Sequence, residues 1–450
     1  MTGALTNLVA FIVAISVLVA VHEFGHYIVG RWCGMKVLRY SIGFGKPLWT
    51  RIAGADKTEY CLSAIPLGGY VKFLDERDGP VAPEDYGRAF NHKPVSSSTN
   101  MRLAGPLFNF LFAIVAYWFL FINGVPTMKP AVGEVAANTY AAEAGLEFGD
   151  RILKVGDRDA TDWETALVSM LDEMVSDGRI PLELEGEDGW VRRTTIDVGD
   201  DASRLTEPGL LFDGLGFQPW QPRAIVGNVS EDGAADAAGI MEGDRITAIG
   251  GEKVVTFRDL QRVVSAIPDE TVIIQLIRRN ELLSREVTIG LREQDGETVG
   301  LLGVGISTGS ADYWYVRQYG PFLAMGQAIE KTWTSIGFTF RMLGRMLTGE
   351  VSIKNISGPI NIAQYAGNSA AAGLNPFLNF LALISISLGV LNLLPVPILD
   401  GGQIVYQAIE GLKGSPLSEQ AQLFGQKVGI VALLLLMTFA FYNDIARIIG

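Results

Sequence analysis

His22-Glu23-Phe24-Gly25-His26 lies inside an apolar stretch long enough to cross a bilayer. Between Gly3 and Gly30 the only charged residue is Glu23. A spanning segment must satisfy its own backbone polar groups, so this one has to be a helix. On a helix, His22 and His26 project from one face, where two imidazoles can hold one zinc ion with Glu23 beside it as general base. The five-residue pattern alone is a weak signal, but its setting is not. Hydrocarbon penalises ionisable groups, and two of the chain's three histidines flank a carboxylate there. A helical histidine is more often a hydrogen-bonded core residue, yet this trio in lipid would make a poor core. The stretch therefore reads as half of a metal site within the membrane.

Of the 450 residues, 48% are hydrophobic, enough for several spans beside a large soluble part. Spans are expected at 1–31, 100–124, 374–400 and 425–447. The first lacks a basic leader and carries the histidine motif, so it is expected to be retained rather than cleaved. Arg31, Lys36, Arg39, Lys46 and Arg51 follow it, whereas residues 1–7 carry no charged side chain. The positive-inside rule then puts the loop 32–99 in the cytoplasm and both termini outside, with the long insert after the second span exported. The two cysteines, Cys33 and Cys61, fall in the cytoplasmic loop, where thiols stay reduced. The net charge of −13 is uneven: between Ala131 and Ser310 there are 34 acidic and 16 basic residues, a balance of −18, so the remainder is net basic. An acidic insert of this kind argues against nucleic-acid binding.

That insert holds an internal repeat. At a shift of 94 residues, Val132-Gly133-Glu134-Val135 falls on Val226-Gly227-Asn228-Val229, and Ala144-Gly145-Leu146-Glu147-Phe148-Gly149-Asp150-Arg151-Ile152 on Ala238-Gly239-Ile240-Met241-Glu242-Gly243-Asp244-Arg245-Ile246. Two copies imply two small domains in series, 127–220 and 221–310, rather than a solenoid. The pattern resembles PDZ domains, which add an extended peptide as a strand and capture its terminus in backbone amides. Peptide capture at these grooves and simple steric shielding are both open. Residues 319–373 read as amphipathic helices on the membrane surface, with Phe322, Trp333, Phe340 and Leu347 spaced helically beside Lys331, Arg341 and Arg345. The Gly-rich, alternating stretch from Tyr40 to Leu74 reads as β-hairpins dipping toward the membrane. Gly68, Gly69 and Tyr70 lie in it as candidates for pairing with an extended substrate.

Two histidines leave zinc short of a ligand. His92, in Asn91-His92-Lys93-Pro94, is poorly placed for a membrane site. Asp400 is the better candidate. It ends an apolar run beside Pro395, Pro397, Gly401 and Gly402, as a ligand on a broken helix would. His22-Glu23-Phe24-Gly25-His26 taken with Asn392-x-x-Pro395-x-Pro397-x-x-Asp400-Gly401 resembles the site-2 protease family of intramembrane metalloproteases, and most closely its bacterial sigma-E-regulating members. The likeness runs the whole length, including Ala104-Gly105-Pro106-Leu107-Phe108-Asn109 in the second span. Those relatives have His after Asp-Gly-Gly, where this chain has Gln403, which favours Asp400 as the ligand.

The resemblance implies a multi-pass α-helical membrane protein with four transmembrane helices, a membrane-associated β region and two exported PDZ-like α+β domains. It implies Zn2+ on His22, His26 and Asp400, Glu23 as general base, and Asn392 and Asn109 near the substrate. The lesser alternative for the two asparagines is that they are helix–helix contacts. It further implies a bacterial inner membrane setting, with the PDZ-like domains in the periplasm and the site near the cytoplasmic side. The substrate would be a single-span membrane protein already shortened by an earlier cut, such as an anti-sigma factor. A catalytically inactive scaffold presenting PDZ domains is the rival, opposed by the intact Glu23 and Asp400. A transporter is disfavoured because four spans show no related halves.

Overall fold

The structure is a computed structural model that describes residues 2–231, 233–294, 297–307, 313–415 and 417–449. The chain divides into two compact units, residues 1–125 with 317–450 and residues 126–316.

The first unit is helical apart from one curled sheet. Its elements are α1 (Thr2–Trp32), β1 (Val37–Ala53), β2 (Thr58–Phe73), α2 (Val95–Asn123), α3 (Pro321–Thr348), α4 (Pro359–Ala372), α5 (Leu374–Asn392), α6 (Asp400–Lys413) and α7 (Glu419–Ile449). Among the described residues, α1, α2, α5 and α7 are long and apolar enough to cross a membrane. The helices meet through small residues, as expected where lipid gives no hydrophobic drive to association. Ala10, Ala14 and Leu18 of α1 are buried against Ala366 of α4 and Phe380 and Leu381 of α5. Ala113, Ala116 and Tyr117 of α2 are buried with Ala324 and Ala328 of α3 and Ile386 and Val390 of α5. The face of α3 that carries Phe322, Trp333 and Leu347 is exposed.

β1 and β2 pair from Val37↔Phe73 to Ala53↔Thr58, with repeated breaks in register. The breaks let one segment serve two neighbours: Ser41 faces both Tyr70 and Cys61, and Cys61 faces both Ser41 and Thr50. Phe44, Leu48, Trp49, Ile52 and Ile65 stand exposed on it.

The expected third span reaches residue 400, but α5 stops at Asn392. Pro395 and Pro397 have no N–H to continue the ladder. The chain instead folds into short turns, Val396 N–H to Leu394 O at 2.7 Å and Leu399 N–H to Val396 O at 2.8 Å, before α6 begins. Gly401 and Gly402 let this turn lie against the start of α6, for a Cβ at Gly402 would come 2.0 Å from Val396 O. Asp400 therefore opens a new helix rather than closing the old one.

The second unit contains the repeat. In the first copy the strands run in the order Arg158–Asp159, Arg151–Val155, Arg179–Glu185, Val191–Asp197, and in the second in the order Glu252–Lys253, Arg245–Ile249, Thr271–Arg278, Glu281–Thr288. The copies share a register break, between Ile152 and Lys154 and between Ile246 and Ala248. Each has its own buried core, one around Ile152, Met170 and Leu184 and one around Ile246, Leu260 and Leu276. The Gly-Asp turn has a physical reason in both. Asp150 accepts the Glu147 N–H at 2.7 Å and Asp244 the Met241 N–H at 2.8 Å. Each carboxylate then pairs with an arginine, Arg192 and Arg278, which come from different strands of the two copies.

Candidate active site

Helical spacing places His22, Glu23 and His26 on α1, and the turn after α5 brings Asp400 to them across almost the whole sequence. His22 Nε2 lies 3.2 Å from His26 Nε2. Asp400 Oδ2 lies 3.2 Å from His22 Nε2 and 3.4 Å from His26 Nε2. Donors at the corners of a tetrahedron around zinc, at about 2.0–2.2 Å from it, are separated by about 3.3–3.6 Å. The trio fits one zinc ion. Asp400 Oδ2 supports the fit from another direction, because it is buried and accepts no hydrogen bond among the described residues.

The protonation pattern agrees for His26. Its Nδ1 lies 2.8 Å from Met101 O, and a carbonyl can only accept, so Nδ1 carries a proton and in the neutral ring Nε2 presents its lone pair. His26 is 7% exposed. The His22 and Asp400 side chains keep 12% and 20% of their surface open.

Gly105 of α2 makes this geometry possible. A Cβ there would come 2.4 Å from His26 Nε2 and 2.7 Å from His22 Cε1. Gly69 does the same on the β side, where a Cβ would come 2.6 Å from Ser41 O and 3.0 Å from Glu23 Cγ. The result is a cleft of about 500 Å³ lined by His22, Glu23, His26, Gly69, Tyr70, Asn392 and Asp400.

Three sequence-derived residues stand differently from that lining. Gly68 lies beneath Phe44, which stacks on Tyr70, and a Cβ at Gly68 would come 2.4 Å from the Phe44 ring. Asn109 is fully buried and sits behind His22, with Nδ2 3.1 Å from His22 Nδ1. His92 lies apart from the trio, 2.8 Å from Glu76 and edge-on to Tyr86. Asn392 lines the cleft while its Nδ2 donates to Leu388 O at 3.0 Å. Gln403 turns to Pro397 O at 2.7 Å and closes the turn. Met101 was missed from the sequence, since a backbone carbonyl leaves no trace in residue type.

A family model described as "Peptidase family M50" matches residues 10–436. The regulator of sigma-E protease RseP of Escherichia coli (strain K12) is 40% identical over 455 residues, covering all of both chains. The protease RseP of Yersinia pestis is 40% identical over 457 residues, again covering all of both. A relative in Vibrio cholerae, 39% identical over 455 residues and covering all of both chains, is described as a zinc metalloprotease. The chain thus belongs to the M50, or site-2 protease, family of zinc-dependent intramembrane proteases.

Proposed function

We propose that His22, His26 and Asp400 hold the zinc ion, that Glu23 is the general base, and that the cleft beside them receives an unwound stretch of a single-span membrane protein. The reading rests chiefly on the three donor atoms lying 3.2–3.4 Å apart, one of them a buried carboxylate oxygen that accepts no hydrogen bond among the described residues. Zinc in such a site polarises the scissile carbonyl and acidifies a water. Glu23 takes the proton of the attacking water and delivers it to the leaving amine. Asn109 orients His22. With its amide turned so that Oδ1 accepts from His22 Nδ1–H, it leaves Nε2 free for the metal, and Oδ1 gains the partner it otherwise lacks. Asn392 and Tyr70, which both line the cleft, position the substrate backbone. The edge of β2 at Gly69 and Tyr70 pairs with the substrate once its helix opens, which offsets the hydrogen bonds lost on unwinding.

The relatives named as regulators of sigma-E support the substrate class proposed here. It is a membrane protein already cut on its exported side, with an anti-sigma factor as the particular case. The basic residues after α1 favour an orientation with the cleft near the cytoplasmic face and residues 126–316 in the periplasm. There the two PDZ-like copies exclude substrates that have not been shortened.

The test compares zinc content and cleavage of a pre-shortened single-span substrate across four proteins. Wild type should bind about one zinc per chain and cut. Glu23→Gln should keep zinc and lose about 10²–10⁴-fold in rate, the usual share of a general base. Asp400→Ala should lose zinc, whereas His92→Ala should keep both zinc and activity. Equal cleavage by wild type and Glu23→Gln would defeat the mechanism, and gently purified wild type without zinc would favour the inactive scaffold.

A further inference from the structure

Of the three Lys and Arg residues lining the cleft, Lys72, Arg77 and Arg102, only Arg102 has no ion pair among the described residues. Arg102 of α2 follows Met101, whose carbonyl holds His26, and precedes Gly105, which packs on both histidines. Its side chain lines the same cleft as Glu23, Asn392 and Asp400. The guanidinium lies 5.3 Å from the centre of the Phe90 ring, and its Nη1 is buried without a hydrogen-bond partner among the described residues.

The other charges in the cleft are matched. Lys72 Nζ lies 3.2 Å from Asp78. Arg77 grips Asp75 with two hydrogen bonds, at 2.9 and 2.5 Å, and holds its carboxyl below the usual carboxylate range. Glu23 and Asp400 together equal the charge of one divalent ion. Arg102 forms no ion pair among the described residues and feels only the more distant negative charges of Asp400 and Glu410. A guanidinium N–H buried without an acceptor is costly, and its planar fork is shaped for two carboxylate oxygens. Lys72 and Arg77 already have such partners, so an incoming anion gains most at Arg102.

We propose that Arg102 is a specificity-determining residue that takes a carboxylate brought into the cleft by the bound polypeptide. The inference rests on the protease reading of the cleft. Two sources share this chemistry: an Asp or Glu side chain flanking the scissile bond, and the new C-terminal carboxylate that hydrolysis leaves on the product. The competing role is purely structural. Arg102 would anchor α2 at the edge of the apolar region, its stem packed on Phe90 and its head toward water.

The experiment uses the full chain carrying Glu23→Gln and loaded with zinc, so that peptides bind without being cut. Two matched sets of apolar peptides compete for the cleft. In one, a single Glu or Gln is stepped along the sequence. In the other, the same peptide ends in a free acid or an amide. With Arg102 present, the acidic member of at least one pair should bind about tenfold tighter, as a charge-assisted bond to a guanidinium implies. The pair that responds identifies the source. Arg102→Gln should abolish the preference while zinc content stays unchanged, and Arg102→Lys, which keeps the charge and loses the fork, should retain part of it. A preference that survives Arg102→Gln, or none with Arg102 in place, overturns the proposal. Wild-type cleavage of a pre-shortened substrate separates the two failures. If wild type cuts and no preference appears, only the Arg102 proposal fails. If it neither cuts nor, as Glu23→Gln, binds any peptide, both fail.

Discussion

In the metal site proposed at His22, His26 and Asp400, Asn109 and Gly105 contribute without touching the ion. Gly105 matters by its lack of a side chain, since a Cβ would come 2.4 Å from His26 Nε2, the atom proposed to face the metal. Asn109 is required by its hydrogen-bonding capacity, since His22 has to keep its proton on Nδ1 to present Nε2. Replacing a partner of a ligating imidazole commonly lowers metal affinity about 10–100-fold. Asn109→Leu fills similar space without the amide, so it should weaken zinc binding by about that factor. Competition with a zinc chelator of known affinity measures this directly. Unchanged affinity would mean that Asn109 serves only the contact between α2 and α5, where its backbone oxygen already accepts from Ser385 at 2.9 Å. The sequence puts Asn109 in a recognisable motif but not behind a particular ring. Which way a side chain faces depends on the rotation of α2, and one buried asparagine leaves little mark on periodicity.

The elements are fastened by carboxylates at helix and turn termini. Asp444, near the end of α7, is 2% exposed and accepts from Gly358 N–H at 2.8 Å, Ile360 N–H at 2.9 Å and Asn361 N–H at 3.1 Å, which are donors at the start of α4. Asn443 beside it donates to Ile353 O and Ile356 O. Asp444→Ala would leave those amides without an acceptor, at about 1–3 kcal/mol for each that stays buried. Lower thermal stability is expected, with faster hydrogen exchange at residues 358, 360 and 361. Unchanged exchange there would show that the latch does not hold α4. In the second unit, burial opposes ionisation of Asp244, but the hydrogen bonds from Arg278 and the Met241 N–H outweigh it and keep the carboxyl below its usual range. A depressed folded value stabilises above the ordinary value near 3.8 and loses that contribution as pH falls below it. The melting temperature of the unit should therefore drop as pH is lowered through that range, with a shallower slope in Asp244→Asn; identical slopes would remove Asp244 from the account. The Gly-Asp turns themselves are legible at the 94-residue shift. Their arginine partners are not, because Arg192 and Arg278 reach equivalent carboxylates from non-equivalent positions. The turn from 393 to 399 was half legible: the prolines and glycines announced a break, but a break does not say on which helix Asp400 will sit.

At the scale of the molecule, the proposed chemistry is confined to one of the two units. Among the described residues, every one that lines the cleft falls within 22–102 or 392–400, and none comes from the acidic repeat. A unit of this size with no part in the cleft calls for another task, and exclusion of unshortened substrates is the one proposed. The topology allows a clean test. The strands that lead into and out of the repeat, Val125–Met128 and Trp314–Arg317, pair with each other, so the chain leaves the unit beside the point where it entered. A short flexible linker can therefore replace residues 129–313 with little strain, because closing a short loop between neighbouring ends costs little entropy. The shortened protein should keep zinc and cut a pre-shortened substrate at close to the wild-type rate. It should also cut the full-length substrate, which the intact protein is expected to leave alone. Retained discrimination would place the filter in the first unit, with the curled sheet of β1 and β2 the nearest structure to the cleft. Loss of cleavage of both substrates, with zinc still bound, would instead mean that the repeat helps to deliver the polypeptide, and its two PDZ-like copies would then be the place to look for a bound terminus.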